Sequence, residues 1–419
     1  MDWSPQQDRA LRDCAQWLRS RTSGQVYYLA GFAGTGKTTL AKHLVGTEAP
    51  GRWLFASFTG KASHVLRQKG CDGATTIHSL IYRPNGESLA NELKILDLKI
   101  SSLIARIDKF AEKEALAMEL QGQLNKLTKM RRELSSDNRP RFALWANSPL
   151  ADFGVDGIVV DEVSMVDERL GKDLESFGKK ILVLGDPAQL PPIGSGGYYT
   201  KRTPDTMLTE VHRHAKESGI LRLATLIREG GKLSDFSSTV DAEVVSSISR
   251  EDLAMAVLGT DQVLVGLNET RRAMNRRHRE LLGRTDPCPV FGDRLVCLRN
   301  DHDIGIFNGS QWKVVESDCD LDFKSAMLEI TSEDDNRILE VESWLHHMLG
   351  CPQELEDEDV ERRSMAEFDW SYSLTVHKAQ GSQWNDVVLF DQSKSFRGDA
   401  RRWLYTGATR AAKRLMIVT

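Results

Sequence analysis

Gly31-Phe32-Ala33-Gly34-Thr35-Gly36-Lys37-Thr38 constrains this chain more tightly than any other stretch of its 419 residues. The spacing G-x-x-x-x-G-K-[ST] cradles phosphate only when a strand precedes it and a helix follows it. The sequence supplies both. Val26-Tyr27-Tyr28-Leu29-Ala30 is an apolar run ending in glycine, Thr38 to Val45 reads as a helix, and Trp53 to Phe58 as the next strand. That order opens a βαβ unit, hence a parallel sheet covered by helices. The glycines let backbone N–H groups turn inward around phosphate oxygens, and the helix N-terminus adds positive potential. Gly34, Thr35, Gly36, Lys37, Thr38 and Thr39 are therefore the expected nucleotide contacts. Lys37 would reach the β and γ phosphates of ATP, and the Thr38 hydroxyl would ligate Mg²⁺.

Two further apolar runs, Ile158-Val159-Val160 and Ile181-Leu182-Val183-Leu184, read as buried strands of the same sheet. Each ends in a polar cluster, where parallel sheets carry their sites. The first runs into Asp161-Glu162. Paired carboxylates one strand from a phosphate loop divide the work: Asp161 for the Mg²⁺ shell, Glu162 to orient or deprotonate the attacking water. Alone, the pair would read as a solvated acidic turn.

The length suits two to four domains. Ser88 to Leu134 has no proline and one glycine, Gly122. Leu89, Leu93, Leu96, Ile100, Leu103, Ile107 and Phe110 alternate spacings of four and three, and Ala117, Leu120, Leu124, Leu127 and Leu134 continue the stripe. This heptad-like seam predicts an antiparallel helical hairpin turning near Ala111 to Glu114. A structural arm packed on itself, a strand-separating wedge and a partner contact are the readings open for it; Pro84 is an alternative wedge. Arg294 to Leu298, Trp312 to Val315 and Met327 to Ile330 are short strand-like runs, and Asn308-Gly309 is a turn signal, so a small β-barrel is expected. Glu354 to Glu361 is strongly acidic and reads as exposed.

A net charge of -5 excludes a uniformly basic coat for nucleic acid and requires positive charge concentrated in a track. The six cysteines, Cys14, Cys71, Cys288, Cys297, Cys319 and Cys351, stand singly with no C-x-x-C pair. Reduced thiols and no zinc site are expected from that spacing. No run of about 18 apolar residues marks a membrane span. Met1-Asp2-Trp3-Ser4-Pro5 lacks a basic region followed by an apolar core, so a cytoplasmic protein is expected, in a bacterium or a phage-infected host.

With these residues placed, the chain from Gln7 to Arg414 resembles superfamily 1 helicases, specifically the RecD/Dda-like branch of the 1B group. Trp3-Ser4-Pro5-Gln6-Gln7 looks like its N-terminal glutamine motif, which implies that Gln7 reads the adenine edge; on its own the stretch is a helix start with Ser4 as cap and Pro5 in the first turn. Phe58-Thr59-Gly60-Lys61-Ala62-Ser63 is similar to motif Ia and Thr75-Thr76-Ile77-His78 to motif Ib, which implies strand contacts by Thr59, Lys61, Thr76 and His78. Gly185-Asp186-Pro187-Ala188-Gln189-Leu190-Pro191-Pro192 resembles motif III, with Gln189 as γ-phosphate sensor. Leu208 to Arg213 and Tyr405-Thr406-Gly407-Ala408-Thr409-Arg410 resemble the elements carrying two arginine fingers, Arg213 and Arg410. Leu374 to Trp384 is similar to motif V, which implies that Thr375, His377 and Lys378 grip the strand while Gln380 and Gly381 face the nucleotide. Phe291 to Arg294 and Phe307 to Trp312 look like the branch's inserted barrel; Trp312 is equally suited to the barrel core.

The resemblance implies an α/β architecture of two RecA-like P-loop NTPase domains with parallel sheets, a heptad-bearing helical insertion in the first and an SH3-like β-barrel insertion in the second. Residues 1–84 and 147–220 would form the ATP-binding domain, 85–146 its insertion, 221–287 and 367–419 the second domain, and 288–366 the barrel. It implies an ATP- and Mg²⁺-dependent motor, moving 5′-to-3′ on single-stranded DNA and unwinding forked duplex. The motor would be a monomer away from membranes, with replication or recombination proteins as further partners. A motor that displaces proteins or remodels forks with little unwinding is the alternative, and a P-loop module that closes on ATP without turnover is a third reading.

Overall fold

The computed structural model describes the chain except residues 1–2, 21, 50, 85–96, 98, 105–106, 108–119, 123, 130, 132–141, 146, 192–196, 211–216, 302–303 and 351–364. Two compact units emerge: residues 1–80, 149–354 and 365–419 form the larger, and 81–148 with 355–364 the smaller.

The larger unit holds two parallel sheets and a barrel. In the first sheet, β1 (Val26–Gly31), β2 (Arg52–Ser57) and β3 (Thr75–Thr76) are joined by β6 (Val155–Asp161), β7 (Lys180–Gly185) and β8 (Thr206–Leu208), in the order β3-β2-β6-β7-β1-β8. Every residue of β1 is buried, which is why the strand reads as a continuous apolar run rather than an alternation. Leu29, Leu182 and Leu184 share a core with Leu40 and Leu44 of the helix Lys37–Thr47 and with Trp17 of the helix Pro5–Arg19. Ser4 caps that first helix and Pro5 opens it. Ser4 and Gln7 complete a reciprocal capping box, so the local reading of this stretch holds.

The second sheet takes β9 (Ala242–Val245), β10 (Gln262–Val265), β16 (Ser373–Thr375), β17 (Trp384–Phe390) and β18 (Ala411–Val418), in the order β16-β10-β17-β18-β9. All its pairings are parallel. Its core gathers Leu264, Leu389, Leu415 and Ile417 with Trp403 and Tyr405 of the helix Ala400–Ala408.

Between β10 and β16 the chain closes a five-stranded barrel from β11 (Arg294–Cys297), β12 (Gln311–Asp320), β13 (Ser325–Ser332), β14 (Ile338–Trp344) and β15 (Ala366–Trp370). The expected barrel border at residue 366 falls at the start of its fifth strand. Along β13 burial alternates, with Ala326, Leu328 and Ile330 inward. Trp312 is 1% exposed and fills the barrel core, which settles its role. A buried amide pair ties barrel to sheet: Gln311 Nε2 donates to Gln262 Oε1 at 2.8 Å, and Trp384 Nε1 donates to Gln311 Oε1 at 2.9 Å.

One expectation is corrected. Cys288 and Cys319 are joined in a disulfide, with Cα atoms 6.1 Å apart. They stand 31 positions apart in sequence, so no local spacing announces the pair; the antiparallel pairing of β11 with β12 brings the two stretches side by side. Cys14, Cys71 and Cys297 are free and buried, and Cys351 lies outside the described residues.

In the smaller unit, β4 (Tyr82–Pro84) and β5 (Phe142–Leu144) pair antiparallel, and Arg83 lies 3.8 Å over the Trp145 ring. Residues 99–104 and 124–129 are helical. Leu103 and Leu120 are buried and Ile100, Ile107, Leu124 and Leu127 half-buried, while Lys99, Ser101, Ser102, Asn125, Lys126, Thr128 and Lys129 are exposed. Asp97 pairs with Arg131. Leu89, Leu93, Leu96, Phe110, Ala117 and Leu134, with the expected turn at Ala111 to Glu114, lie outside the described residues.

Candidate nucleotide site and strand-contact residues

Gly34 and Gly36 adopt the left-handed backbone conformation, φ 76° and 80°, that the loop between β1 and its helix demands. A side chain at Gly34 would collide with Leu221 of the helix Gly219–Glu229, 2.7 Å from the position of its first carbon. The Lys37 ammonium donates to the carbonyls of Gly31 at 2.6 Å and Phe32 at 3.1 Å. Thr35 Oγ1 donates to Phe32 O at 2.8 Å. Thr38 Oγ1 donates to Asp161 Oδ2 at 2.8 Å, and Asp161 Oδ1 accepts the Glu162 N–H at 2.8 Å. The strand end and the helix start thus converge a hydroxyl and a carboxylate. These are hard oxygen donors of the kind Mg²⁺ takes beside phosphate oxygens, so the pair fits that ion. A cavity of about 360 Å³ borders Thr38, Thr39, Lys42 and His43.

Glu162 has φ 55°, a conformation that costs a residue with a side chain. Backbone strain of this sort collects at working sites. Burial drives its carboxyl upward in pKa, while the charges of Arg410 and Lys37 oppose that shift. Gln189 spans the gap: its amide nitrogen donates to Glu162 Oε2 at 3.2 Å and its amide oxygen accepts from Arg410 Nη2 at 3.3 Å, an orientation assigned from these bonds. Arg410 is 5% exposed and is aimed by its own lobe, donating to Thr406 O, Ser382 O and Thr409 Oγ1 at 3.1, 3.1 and 3.2 Å. Carboxylate, amide and guanidinium therefore form one line between the two sheets.

Further contacts join the sheets around the loop, and reading the sequence missed most of them. Tyr405 Oη accepts the Ala33 N–H at 2.9 Å and donates to Asp186 Oδ2 at 2.7 Å. Burial beside that carboxylate raises the phenol's pKa, keeping it a neutral donor. Thr406 Oγ1 accepts the Leu190 N–H at 2.9 Å, and Gln380 Nε2 donates to Leu190 O at 2.9 Å. Arg228 stacks 3.7 Å over Phe32. Tyr405, Asp186 and Thr406 lie inside motif-like stretches, but nothing in one sequence pairs them; Arg228 carries no signal at all.

Gln7 is 2% exposed and engaged at both amide atoms, donating to Thr35 O at 3.0 Å and accepting from Ser4 N at 3.0 Å. It braces the loop from behind. Gln6 holds Thr209 and Glu210 through their N–H groups. Arg213 lies outside the described residues.

The expected strand contacts fall into two sets. Thr59 caps the helix Gly60–Gln68, and Gly381, φ 76°, packs so close that an added carbon would lie 3.0 Å from Thr59 Oγ1. Lys61 is paired with Asp334 on the β13–β14 turn, both side chains largely covered. Thr76 shares its hydroxyl with Ser79 at 2.7 Å, and His78 meets Phe58 edge-on. In the second set, Thr375 is buried with its hydroxyl on Lys378 N at 3.3 Å, His377 lies against Phe396, and the Lys378 side chain is exposed. Burial lowers the pKa of His377. A groove of about 840 Å³ runs past Lys61, His64, Lys69, Arg294 and Lys313.

Comparison with known proteins places the chain in a family. Residues 3–250 match the AAA domain family and residues 371–418 the UvrD-like helicase C-terminal domain. The chain is 25% identical over 287 residues to the ATP-dependent RecD2 DNA helicase of Deinococcus radiodurans, covering 62% of this chain and 36% of that protein. It is 22% identical over 411 residues to human ATP-dependent DNA helicase PIF1, covering 87% of this chain and 54% of that one. It thus spans only about a third to a half of these relatives. A crystal structure of Bacteroides Pif1 bound to ssDNA has the same fold, with a TM-score of 0.52 at 13% identity, covering 100% of this chain and 92% of that one. With an AAA domain over residues 3–250 and a UvrD-like helicase C-terminal domain over residues 371–418, the chain belongs to the superfamily 1B helicases of the RecD/Pif1-like type.

Proposed function

We propose that the chain is an ATP-dependent 5′-to-3′ translocase on single-stranded DNA that unwinds forked duplex. The observation that carries this reading is the Glu162–Gln189–Arg410 line, which ties the water-activating carboxylate of one lobe to the guanidinium of the other. ATP in the loop would lie along that line. Lys37 would hold its terminal phosphates, Glu162 would orient the attacking water, and Arg410, with Arg213 as second finger, would stabilise the charge on the transferring phosphoryl group. Thr38 and Asp161 would hold Mg²⁺, which neutralises phosphate charge when bound.

Gln380 and Thr406 clamp the Leu190 main chain, so a shift of motif III on hydrolysis reaches the segment carrying Thr375, His377 and Lys378. Backbone contacts from Thr59, Lys61, Thr76 and His78 on one lobe and these three on the other would alternate in grip, without reading base sequence. The 5′-to-3′ polarity rests on the resemblance to the RecD branch. No described helix is long and apolar enough to cross a membrane.

Unwinding of duplexes bearing only a 5′ or only a 3′ single-stranded tail tests the assignment. Strong preference for the 5′ tail is expected. Preference for the 3′ tail would reverse the polarity, and displacement of streptavidin without unwinding would leave a protein-displacing motor instead.

Lys61 supplies a second test. Asp334 occupies the cation that motif Ia would offer to a phosphate, so strand and carboxylate compete. Asp334→Asn is expected to tighten binding of single-stranded DNA at low salt by about five- to tenfold, the scale of one charge-assisted contact. Lys61→Ala should weaken it and lower the salt slope by about one. Equal affinity of Asp334→Asn and the parent chain would remove Lys61 from the strand path.

A further inference from the structure

We propose that His346, His347 and Glu367 form a binding site for a divalent transition-metal ion of the zinc class. The two histidines follow β14 directly, and Glu367 stands on β15. One nitrogen from each imidazole and one carboxylate oxygen lie within 4.8 Å of one another. The ligand set comes from two strand ends that the barrel holds side by side, since Ser343 and Trp344 of β14 pair with Ala366 and Glu367 of β15.

His346 is the observation that points to a ligand. It is 2% exposed, and its Nδ1 has no hydrogen-bond partner. A buried ring nitrogen without a partner is costly and asks for an occupant. The His346 ring packs against Trp344, with centroids 3.7 Å apart, and against His347 at 3.8 Å.

Glu367 is arranged to serve as the third ligand. Arg299 Nη1 sits 3.0 Å from Oε1, while Oε2 faces His347 Nε2 at 3.6 Å. The guanidinium orients the carboxylate from behind and leaves one oxygen for the ion, the role outer partners take around metal ligands. His347 and Glu367 are partly exposed, which gives an ion a way in. Two imidazoles and one carboxylate select zinc and its first-row neighbours over Mg²⁺ and Ca²⁺, which take oxygen. Ligands about 2.0–2.2 Å from zinc lie about 3.4 Å from each other in a tetrahedron, so atoms within 4.8 Å of one another close by at most about 1.4 Å on binding. Three protein ligands leave a fourth position for water. An ion here would clip the point where the chain leaves β14 to the point where it re-enters at β15.

The test is a titration of Zn²⁺ into the full chain without nucleotide, against a chromogenic chelator, with His347→Gln and Glu367→Gln beside the parent. His346 is left intact because its loss would open the buried ring stack. The parent is expected to take one tightly held zinc that excess Mg²⁺ does not displace. Each variant should hold it at least about tenfold more weakly, the usual effect of losing a ligand or its partner. Zinc should raise the Tm of the parent and leave that of each variant where it stands without metal. A parent that takes no stoichiometric zinc, or either variant holding it as tightly as the parent, overturns the site.

Discussion

Arg410→Ala is expected to lower DNA-stimulated ATP hydrolysis by about 10³-fold or more, the range over which an arginine finger acts on phosphoryl transfer. The guanidinium is held by the protein's own groups. Three acceptors of its own lobe hold it, and its remaining reach is to Gln189, whose other end touches Glu162. A preorganised charge of this kind costs little reorganisation during the reaction. Arg410→Lys keeps the charge but cannot form the fork, so it should recover only a small part of the rate. The double substitution Gln189→Ala with Arg410→Ala should cost much less than the product of the two single effects, because both act through one line. Nucleotide affinity and Tm would be measured alongside, since Arg410 also braces Ser382 and Thr406. Loss of folding in Arg410→Ala with full activity in Arg410→Lys would make the residue structural. Hydrolysis within tenfold of the parent in both variants would remove it from the site.

Legibility in the sequence followed locality. Gly31 to Thr38 and Asp161-Glu162 were readable because phosphate and metal chemistry fixes residue types at neighbouring positions, and the structure brings Thr38 and Asp161 into one hydrogen bond. The barrel strands were readable as short strand-like runs separated by turns, with Asn308-Gly309 as the turn signal. What stayed hidden depends on partners far apart in the chain. Tyr405 and Asp186 are 219 residues apart, and Lys61 and Asp334 meet across 273. A charged side chain in a strand-binding motif looks free until the fold shows its counter-ion. The cysteines failed for the same reason: Cys288 and Cys319 become neighbours only when β12 is folded back along the barrel. Gln7 shows a local reading and a family reading side by side. Its cap and its brace on Thr35 are both in the structure, and a role toward adenine would have to share the same amide.

Lys37→Ala is expected to abolish measurable turnover, a fall of at least about 10²–10³-fold, while single-stranded DNA binding stays within about threefold of the parent. An ammonium has three donors. Two of the hydrogen bonds it makes run to the carbonyls of Gly31 and Phe32, which draws the charge into the loop and leaves a proton for a phosphate oxygen. Alanine removes both the brace and the charge at the place where the transferring group gathers negative charge, and among the described residues Arg410 is committed to the far side of the line through Gln189. Strand binding should survive because the residues assigned to it, Thr59, Lys61, Thr76 and His78 on one lobe and Thr375, His377 and Lys378 on the other, make none of their observed contacts with Lys37. The pair of measurements separates two causes. If hydrolysis and strand binding fall together, the loop was holding the fold of the first lobe. If hydrolysis persists with Lys37 gone, phosphate is bound elsewhere, and the cleft between the two sheets is not the engine of this protein.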